Sequence, residues 1–215
     1  MTETKSTVFV VDDDDDIRSS LARALDKRGY HVETYGSATS FLDSYDPARP
    51  GCLILDYGMP EMNGLELQER LTGLRSRIPI IFITGHGGIP ESVQAMKGGA
   101  LDFIEKPFKQ DVLINRINEA LENDMVARAE AEKTAAVWKQ FESLTAREKE
   151  IFHLMATDPA RSSSKEIGRK LDISPRTADH HRARILEKMD SGSVAELIDV
   201  ALTCKLFDTV QTDAT

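Results

Sequence analysis

The segment TVFVVDDDDD, residues 7–16, joins an apolar run to five successive aspartates. A short apolar run without polar interruption is typical of a strand buried on both faces of a parallel sheet. The runs Cys52–Leu55 and Pro79–Thr84 have the same character and are bounded by turn or acidic residues. These three runs predict a buried parallel sheet whose first strand ends in acidic residues.

Weaker strand patterns fit His31–Tyr35 and Leu101–Ile104. Apolar residues at helical spacing lie between and after the strands, in Ile17–Arg28, Ser37–Tyr45, Gly64–Leu74, Glu91–Lys97 and Lys109–Asn123. Five alternations of strand and helix predict an α/β, doubly wound, five-stranded parallel sheet. In such sheets the functional site lies at the carboxyl ends of the strands.

The second half of the chain has only helical patterns. Its segments are Thr145–Ala156, Ser164–Leu171, Pro175–Met189 and Ser193–Phe207, and Thr145 with Glu148 fits a capping box. A short turn at residues 172–174 separates the middle two segments, which predicts an all-α, four-helix domain with a helix-turn-helix. The predicted domains are 1–123 and 143–215, with a helical linker at 124–142. Whether the apolar linker residues face a partner or the chain's own domains stays open.

Charge is unevenly distributed along the chain. The net charge of -9 argues against general binding to polyanions, and residues 1–123 carry 13 basic against 20 acidic side chains. Residues 161–188 reverse this balance with 8 basic against 4 acidic. That segment suits local phosphate contact, although an ordinary exposed helix pair would look the same. The sequence shows no membrane span and no export signal, so we expect a cytoplasmic protein without a membrane partner.

Acidic, basic and hydroxyl side chains follow the predicted strands. Asp12 to Asp16 and Asp56 come at strand ends, where they converge and repel one another, so the pocket needs a cation. Mg²⁺ suits such oxygen ligands. Lys106 precedes Pro107, and Thr84 ends the fourth strand. A carboxylate nucleophile, a metal ion, a lysine and a hydroxyl form a phosphoryl-transfer site. In isolation, the aspartate run would also fit a solvated loop.

Four stretches resemble the receiver domain of two-component response regulators. They are Val11-Asp12-Asp13-Asp14, Asp56-Tyr57-Gly58-Met59-Pro60 with Asn63-Gly64, Thr84-Gly85-His86-Gly87, and Lys106-Pro107-Phe108. The resemblance spans roughly residues 5–123 and implies a flavodoxin-like fold with Asp56 as the phosphoacceptor. It also implies that Asp13, Asp56 and the Gly58 carbonyl bind Mg²⁺ as the cofactor, with Asp12 assisting.

The same resemblance gives roles to three further residues. Thr84 and Lys106 would hold the phosphoryl group, and Phe103 occupies the position of the family's switch aromatic. Because phenylalanine cannot donate a hydrogen bond, an inward swing of Phe103 would depend on packing alone. The resemblance further implies a homodimer formed on phosphorylation. Our candidate interface residues are Val93, Lys97, Leu113 and Arg116.

Residues 143–207 resemble the LuxR-type output domain of the NarL/FixJ subfamily. The motifs are Leu144-Thr145-Ala146-Arg147-Glu148, Lys165-Glu166-Ile167-Gly168, Ile173-Ser174-Pro175-Arg176-Thr177-Ala178, His181, Ile185 and Lys188-Met189. The third helix would then enter the major groove of double-stranded DNA. Candidate DNA contacts are Lys165, Arg176, Thr177, Asp179, His180, His181, Ala183, Arg184 and Lys188. Within this set, Asp179, His180 and Ala183 occupy the positions that usually face base edges.

Together these features predict a phosphorylation-activated transcription regulator whose partner is a sensor histidine kinase. It would be no enzyme beyond self-phosphorylation and autodephosphorylation. One rival class is a phosphatase that works through an aspartyl phosphate, but such enzymes need a second acid where Gly58 stands. A second rival is a protein-binding module without DNA contact. Basic residues on the third helix argue against that class, among them Arg176, Arg182 and Arg184.

Overall fold

The computed structural model of the protein describes residues 5–85, 88–157 and 163–206. Its residues form two compact units that meet in the sequence between Arg128 and Ala129, inside the predicted linker. His86, Gly87 and the predicted helix end Phe207 lie outside the described residues. Within the described ranges, no helix is both long and apolar enough to cross a membrane.

The N-terminal unit alternates strands with helices. In chain order these are β1 (Thr7–Val11), α1 (Asp15–Asp26), β2 (His31–Tyr35), α2 (Ala38–Ser44), β3 (Gly51–Asp56), α3 (Gly64–Gly73), β4 (Ile80–Thr84), α4 (Ile89–Lys97), β5 (Asp102–Glu105) and the first part of α5 (Gln110–Glu142), a helix that continues into the second unit. The strands form one parallel sheet in the order β2-β1-β3-β4-β5. The doubly wound five-stranded fold predicted from the sequence is confirmed.

Alternate residues of the central strands supply two separate cores. Phe9 and Val11 of β1 pack on one face of the sheet, and Val8 and Val10 pack on the other. Every residue of β1, β3 and β4 is buried. Because both faces are covered by helices, the strands are continuously apolar instead of alternating with polar residues.

Capping groups explain where the first helix departs from its predicted start. Helix α1 begins at Asp15, not Ile17, because the Asp14 carboxylate accepts hydrogen bonds from the amides of Asp16 and Ile17. A side chain that caps in this way satisfies amides that the first helical turn leaves without partners. The aspartate run therefore includes the start of a helix.

Helix α5 runs without a break through the predicted linker. Where it leaves the sheet, the buried Asp124 carboxylate accepts a 2.8 Å hydrogen bond from the Gly51 amide and another of 2.8 Å from Arg128 Nε. The Arg128 guanidinium also donates to the backbone carbonyls of residues 47–49. We call this arrangement the Asp124–Arg128 clamp. It holds α5 against the loop that leads into β3.

The C-terminal unit is helical. After the end of α5 it contains α6 (Ala146–Thr157), α7 (Ser164–Leu171), α8 (Pro175–Lys188) and α9 (Val194–Thr203). These four helices surround a core that includes Phe152, Ile167, Ile185 and Leu197, and Trp138 of α5 packs against the same core. The predicted all-α domain is confirmed, although α9 ends at Thr203, before the predicted end.

Candidate active site and nucleic-acid interface

The strand register brings the two candidate acidic positions side by side. Val11 of β1 pairs with Leu55 of β3, so Asp12 and Asp56 follow at the same level of the sheet. Lys106 follows β5, and its Nζ donates to Asp12 Oδ2 at 2.9 Å and to Asp56 Oδ1 at 2.8 Å. Both carboxylates are nearly buried. One ammonium group thus bridges two buried acids at the carboxyl ends of the strands.

Backbone amides hold the remaining oxygen of each carboxylate. The Asp14 amide donates to Asp12 Oδ1 at 2.9 Å, and the Gly58 amide donates to Asp56 Oδ2 at 2.7 Å. These amides belong to the turns that follow β1 and β3. The turns therefore help to fix the orientation of both acids.

Burial is the main electrostatic influence on Asp12 and Lys106. Burial raises the pKa of Asp12 above its usual value, although hydrogen bonds from Lys106 and the Asp14 amide act in the opposite direction. Burial would lower the pKa of Lys106, but its hydrogen bonds to Asp56 and Asp12 outweigh that effect and raise it. A further cation would stabilise the ionised carboxylates.

The other aspartates of the run have separate surroundings. Asp13 and Asp16 are exposed, Asp14 caps α1, and Asp15 forms an ion pair with Arg18. In the described ranges, no three histidine, cysteine, aspartate or glutamate side chains are grouped as a metal site. Asp13 is therefore not assembled with Asp12 and Asp56 in this arrangement.

The residues present nevertheless fit a hard divalent cation. Mg²⁺ typically accepts one or two carboxylates and keeps several water ligands, so it does not require a complete cage of side chains. Asp12 and Asp56 supply two converging carboxylates, and burial raises the pKa of Asp12 because it disfavours the ionised form. The exposed Asp13 lies next to Asp12 in the chain.

The predicted switch residues lie on the neighbouring strands β4 and β5. Thr84 is buried at the end of β4. Phe103 on β5 is partly buried, with its ring centre 6.0 Å from that of Phe82 and 6.4 Å from that of Tyr57. In this state Phe103 already packs on the core, and Tyr57 is a neighbour that sequence reasoning missed.

One of the four candidate interface residues is wrong. Leu113 is 3% exposed and belongs to the core between α5 and the sheet, so it cannot form an outer contact surface. Val93, Lys97 and Arg116 are exposed, and Arg116 forms ion pairs with Asp102 and Glu119.

Sequence reasoning also missed two apolar residues beside Val93. Ile89 and Met96 are 81% and 47% exposed and share a helical stripe with Val93 on α4. Their spacing of four and three residues was a usable signal. The predicted helix begins only at Glu91, so it leaves out Ile89, the first member of the stripe.

A tight turn connects α7 to α8. Asp172 adopts a left-handed conformation at the end of α7, and Ser174 caps α8 by accepting from the Thr177 amide at 3.0 Å. A Cβ atom on Gly168 would lie 2.7 Å from the Ile173 carbonyl oxygen, so glycine allows this close approach. The predicted helix-turn-helix is present with its predicted cap.

Most of the candidate DNA contacts are accessible. The exposed members are Lys165, Arg176, Thr177, Asp179, His180, Ala183 and Arg184, whereas His181 is partly buried. On α8, Arg176, His180, Ala183 and Arg184 follow one another at helical spacing and form one stripe. This stripe is a surface that a groove could accept.

Lys188 has a different environment from the other basic candidates. Its Nζ lies 2.6 Å from Glu148 Oε2 and 3.3 Å from the Ser143 carbonyl oxygen. Glu148 also forms the predicted capping box, because its carboxylate accepts from the Thr145 amide at 2.8 Å. The Lys188 ammonium thus connects the end of α8 to the start of α6, a contact that local sequence patterns do not reveal.

Asp179 also has partners within the domain. Its Oδ1 accepts a hydrogen bond from the Ser164 hydroxyl, and Arg182 Nη1 lies 3.8 Å from the same oxygen. Arg182 Nη1 donates to Ser164 Oγ at 2.8 Å. We call these three residues the Asp179 cluster. Sequence reasoning placed Asp179 on the reading face but missed the contribution of Ser164.

Known protein families match both the N-terminal and the C-terminal part of the chain. The response regulator receiver domain matches residues 8–118, and the luxR family of bacterial regulatory proteins matches residues 142–201. The chain belongs to the NarL/FixJ-type response regulators. As a response regulator with a LuxR-type DNA-binding domain, it is a transcriptional regulator of the two-component class.

The similarity to known relatives extends over nearly the whole chain. The response regulator is 40% identical over 199 residues to the transcriptional regulatory protein FixJ of Rhizobium meliloti (strain 1021), and the match covers 93% of this chain and 96% of that relative. It is 41% identical over 201 residues to nodulation protein W of Bradyrhizobium diazoefficiens, covering 93% and 87%. The solved structure of response regulator StyR is similar with a TM-score of 0.84 and 40% identity, covering 93% and 99%.

Proposed function

We propose that a sensor histidine kinase controls this regulator by transferring a phosphoryl group to Asp56. The observation that carries the proposal is the bridge from Lys106 to both Asp56 and Asp12 at the carboxyl ends of the strands. An Asp56 oxygen would bond to phosphorus as the bond from phosphorus to the donor nitrogen breaks. The electron pair of that bond leaves with the histidine nitrogen.

The surrounding residues would orient and neutralise the transferred group. Lys106 would contact a phosphoryl oxygen as a point charge, and the Thr84 hydroxyl would donate to another. Asp12, Asp13, Asp56 and the Gly58 carbonyl would hold Mg²⁺, which when bound supplies charge neutralisation for phosphoryl transfer. The protein would have no turnover beyond self-phosphorylation and autodephosphorylation.

The output of this switch would be dimerisation and sequence-specific DNA binding in the cytoplasm. Phosphorylation would bias Thr84 and Phe103 toward a second arrangement and so reshape the surface that carries Val93, Lys97 and Arg116. A two-fold dimer suits DNA half-sites spaced by a helical turn. The exposed stripe of α8 supports its placement in the major groove, with the basic residues around it on phosphates.

Replacing Asp56 with asparagine tests the proposal. We expect Asp56→Asn to abolish Mg²⁺-dependent labelling by a small phosphodonor, because an amide is a poor nucleophile. Asp43→Asn is the matched control, since Asp43 is exposed on α2 and should be labelled like the wild type. Light scattering on the same samples should show a mass increase only where labelling occurs. Undiminished labelling of Asp56→Asn would refute Asp56 as the acceptor.

A further inference from the structure

The Asp179 cluster presents a carboxylate on the outer surface of α8 with a fixed orientation. Asp179 is 70% exposed, yet Ser164 at the start of α7 holds its Oδ1 atom. Arg182, one helical turn further along α8, binds the same serine hydroxyl. A side chain that is both exposed and held from a second helix loses little conformational freedom when it meets a ligand.

The charge of the cluster makes it compatible with DNA. An isolated carboxylate would be repelled by the phosphate backbone, which carries a high density of negative charge. The Arg182 guanidinium, 3.8 Å from Asp179, offsets that charge locally. The cluster therefore offers an acceptor oxygen without adding a full unpaired negative charge to the surface.

The hydrogen-bonding chemistry of this oxygen selects among the bases. Among the described residues, none donates a hydrogen bond to Asp179 Oδ2. An ionised carboxylate only accepts hydrogen bonds, and amino groups in the major groove occur on cytosine N4 and adenine N6. Adenine places its N7 acceptor beside the amino group, whereas guanine O6 and thymine O4 are acceptors that repel a carboxylate. Cytosine is thus the base that suits Asp179.

We infer that Asp179 is a specificity-determining residue that reads cytosine at one position of each half-site, and that Ser164 and Arg182 are its positioning residues. This inference rests on the proposed function, in which α8 enters the major groove. A purely structural role for the cluster would join α7 to α8 without affecting base preference. Only the base-reading role predicts that replacing Asp179 changes the DNA sequence that the protein selects.

The test selects binding sites from a randomised half-site library with phosphorylated full-length protein. The wild type should enrich cytosine at one position by about tenfold over the other bases. Asp179→Asn should shift that position toward adenine, because an amide can pair with adenine N6 and N7 together. Asp199→Asn removes an exposed charge on α9 and is the control that should keep the wild-type preference.

Ser164 variants separate positioning from folding. Ser164→Ala should reduce the preference for cytosine about threefold, and Ser164→Thr should restore it by returning the hydroxyl. Fluorescence of the sole tryptophan, Trp138, reports whether each variant is folded, because this residue packs on the output-domain core. Equal preferences in Ser164→Ala and the wild type would overturn the positioning role.

The remaining outcomes distinguish failure of the base-reading role from failure of the proposed function. If the wild type and Asp179→Asn select the same base at every position, Asp179 does not read DNA and this inference fails alone. If the phosphorylated wild type enriches no sequence, the proposed function fails and the inference falls with it.

Discussion

Lys106 and Lys188 both place an ammonium group against a nearly buried carboxylate, one lysine in each unit of the chain. Lys106 Nζ is shared between Asp12 and Asp56 at 2.9 and 2.8 Å. Lys188 Nζ serves a single carboxylate, that of Glu148, at 2.6 Å. The two contacts are similar in distance but differ in how many negative charges one cation must balance.

The pKa values of Asp12 and Glu148 are shifted in opposite directions. Burial raises the pKa of Asp12, and the shared Lys106 does not compensate fully. Burial would also raise the pKa of Glu148, but hydrogen bonds from Lys188 and from Thr145 outweigh it and lower the pKa to about 2. Two neighbouring carboxylates that share one ammonium group are suited to a further cation, whereas the one-to-one pair of Lys188 with Glu148 is suited to stabilising the fold.

The largest effect should follow from replacing Lys106 with methionine. We expect the rate of phosphorylation to fall about 100-fold, because a charge aimed at the transferred group is lost. Labelling by a small phosphodonor measures the rate. Lys27→Met, which removes an exposed lysine after α1, should keep the wild-type rate. Equal rates in both variants would contradict a functional role for Lys106.

Replacing Lys188 with methionine should instead destabilise the output domain. The loss should be about 1–3 kcal/mol in the free energy of unfolding, since the Glu148 carboxylate would stay nearly buried without its partner. Urea unfolding followed by Trp138 fluorescence measures this change. Lys170→Met is the control, because Lys170 is exposed on α7. Phosphorylation should be unaffected, and an unchanged unfolding midpoint would show that the pair is not stabilising.

The pH dependence of the output domain should report Glu148. Its pKa lies below the ordinary value of 4.5, so its contribution is present above about pH 4.5 and is lost as the pH falls toward about 2. Glu148→Gln cannot ionise and should lack this part of the pH dependence. The difference between the two unfolding free energies, followed by Trp138 fluorescence, isolates the effect from other carboxyl groups. If the unfolding free energies of the wild type and Glu148→Gln change in parallel between about pH 5 and about pH 3, Glu148 does not contribute to the pH dependence.

The smallest effect concerns the salt dependence of DNA binding. Arg176→Ala should lower the slope of log affinity against log salt by about one unit, if its guanidinium neutralises a phosphate. Lys188→Met should lower it by less, because Glu148 already neutralises the ammonium group. Titrations at several salt concentrations compare the two variants. Equal decreases would mean that Lys188 leaves Glu148 when DNA binds.

Much of the receiver fold could be predicted because its strands are buried on both faces. The bounds of β1 and β2 agree with the sequence pattern, and β4 differs by one residue. The convergence of Asp12, Asp56 and Lys106 also followed from their positions at strand ends. Local patterns determine these features, so a single sequence is enough to locate them.

The same local patterns could not predict contacts between segments that are distant in the chain. The resemblance places an interface on the helix that contains Leu113, but it does not say which stripe of that helix packs on the sheet, and Leu113 lies in the core. The pair of Lys188 with Glu148 joins residues far apart in the chain, and neither residue's neighbours indicate it. The run of aspartates likewise hides a helix cap at Asp14, since five identical side chains give no local contrast.

The Asp124–Arg128 clamp has a practical consequence for dividing the protein into fragments. The receiver match ends at residue 118, but a fragment cut there would lose the acceptor of the Gly51 amide and the guanidinium that binds the carbonyls of residues 47–49. Without these partners, the backbone would fray at the start of β3, the strand that carries Asp56. An isolated receiver should therefore extend past Arg128, so that Asp124 and Arg128 can still bind the backbone of residues 47–51.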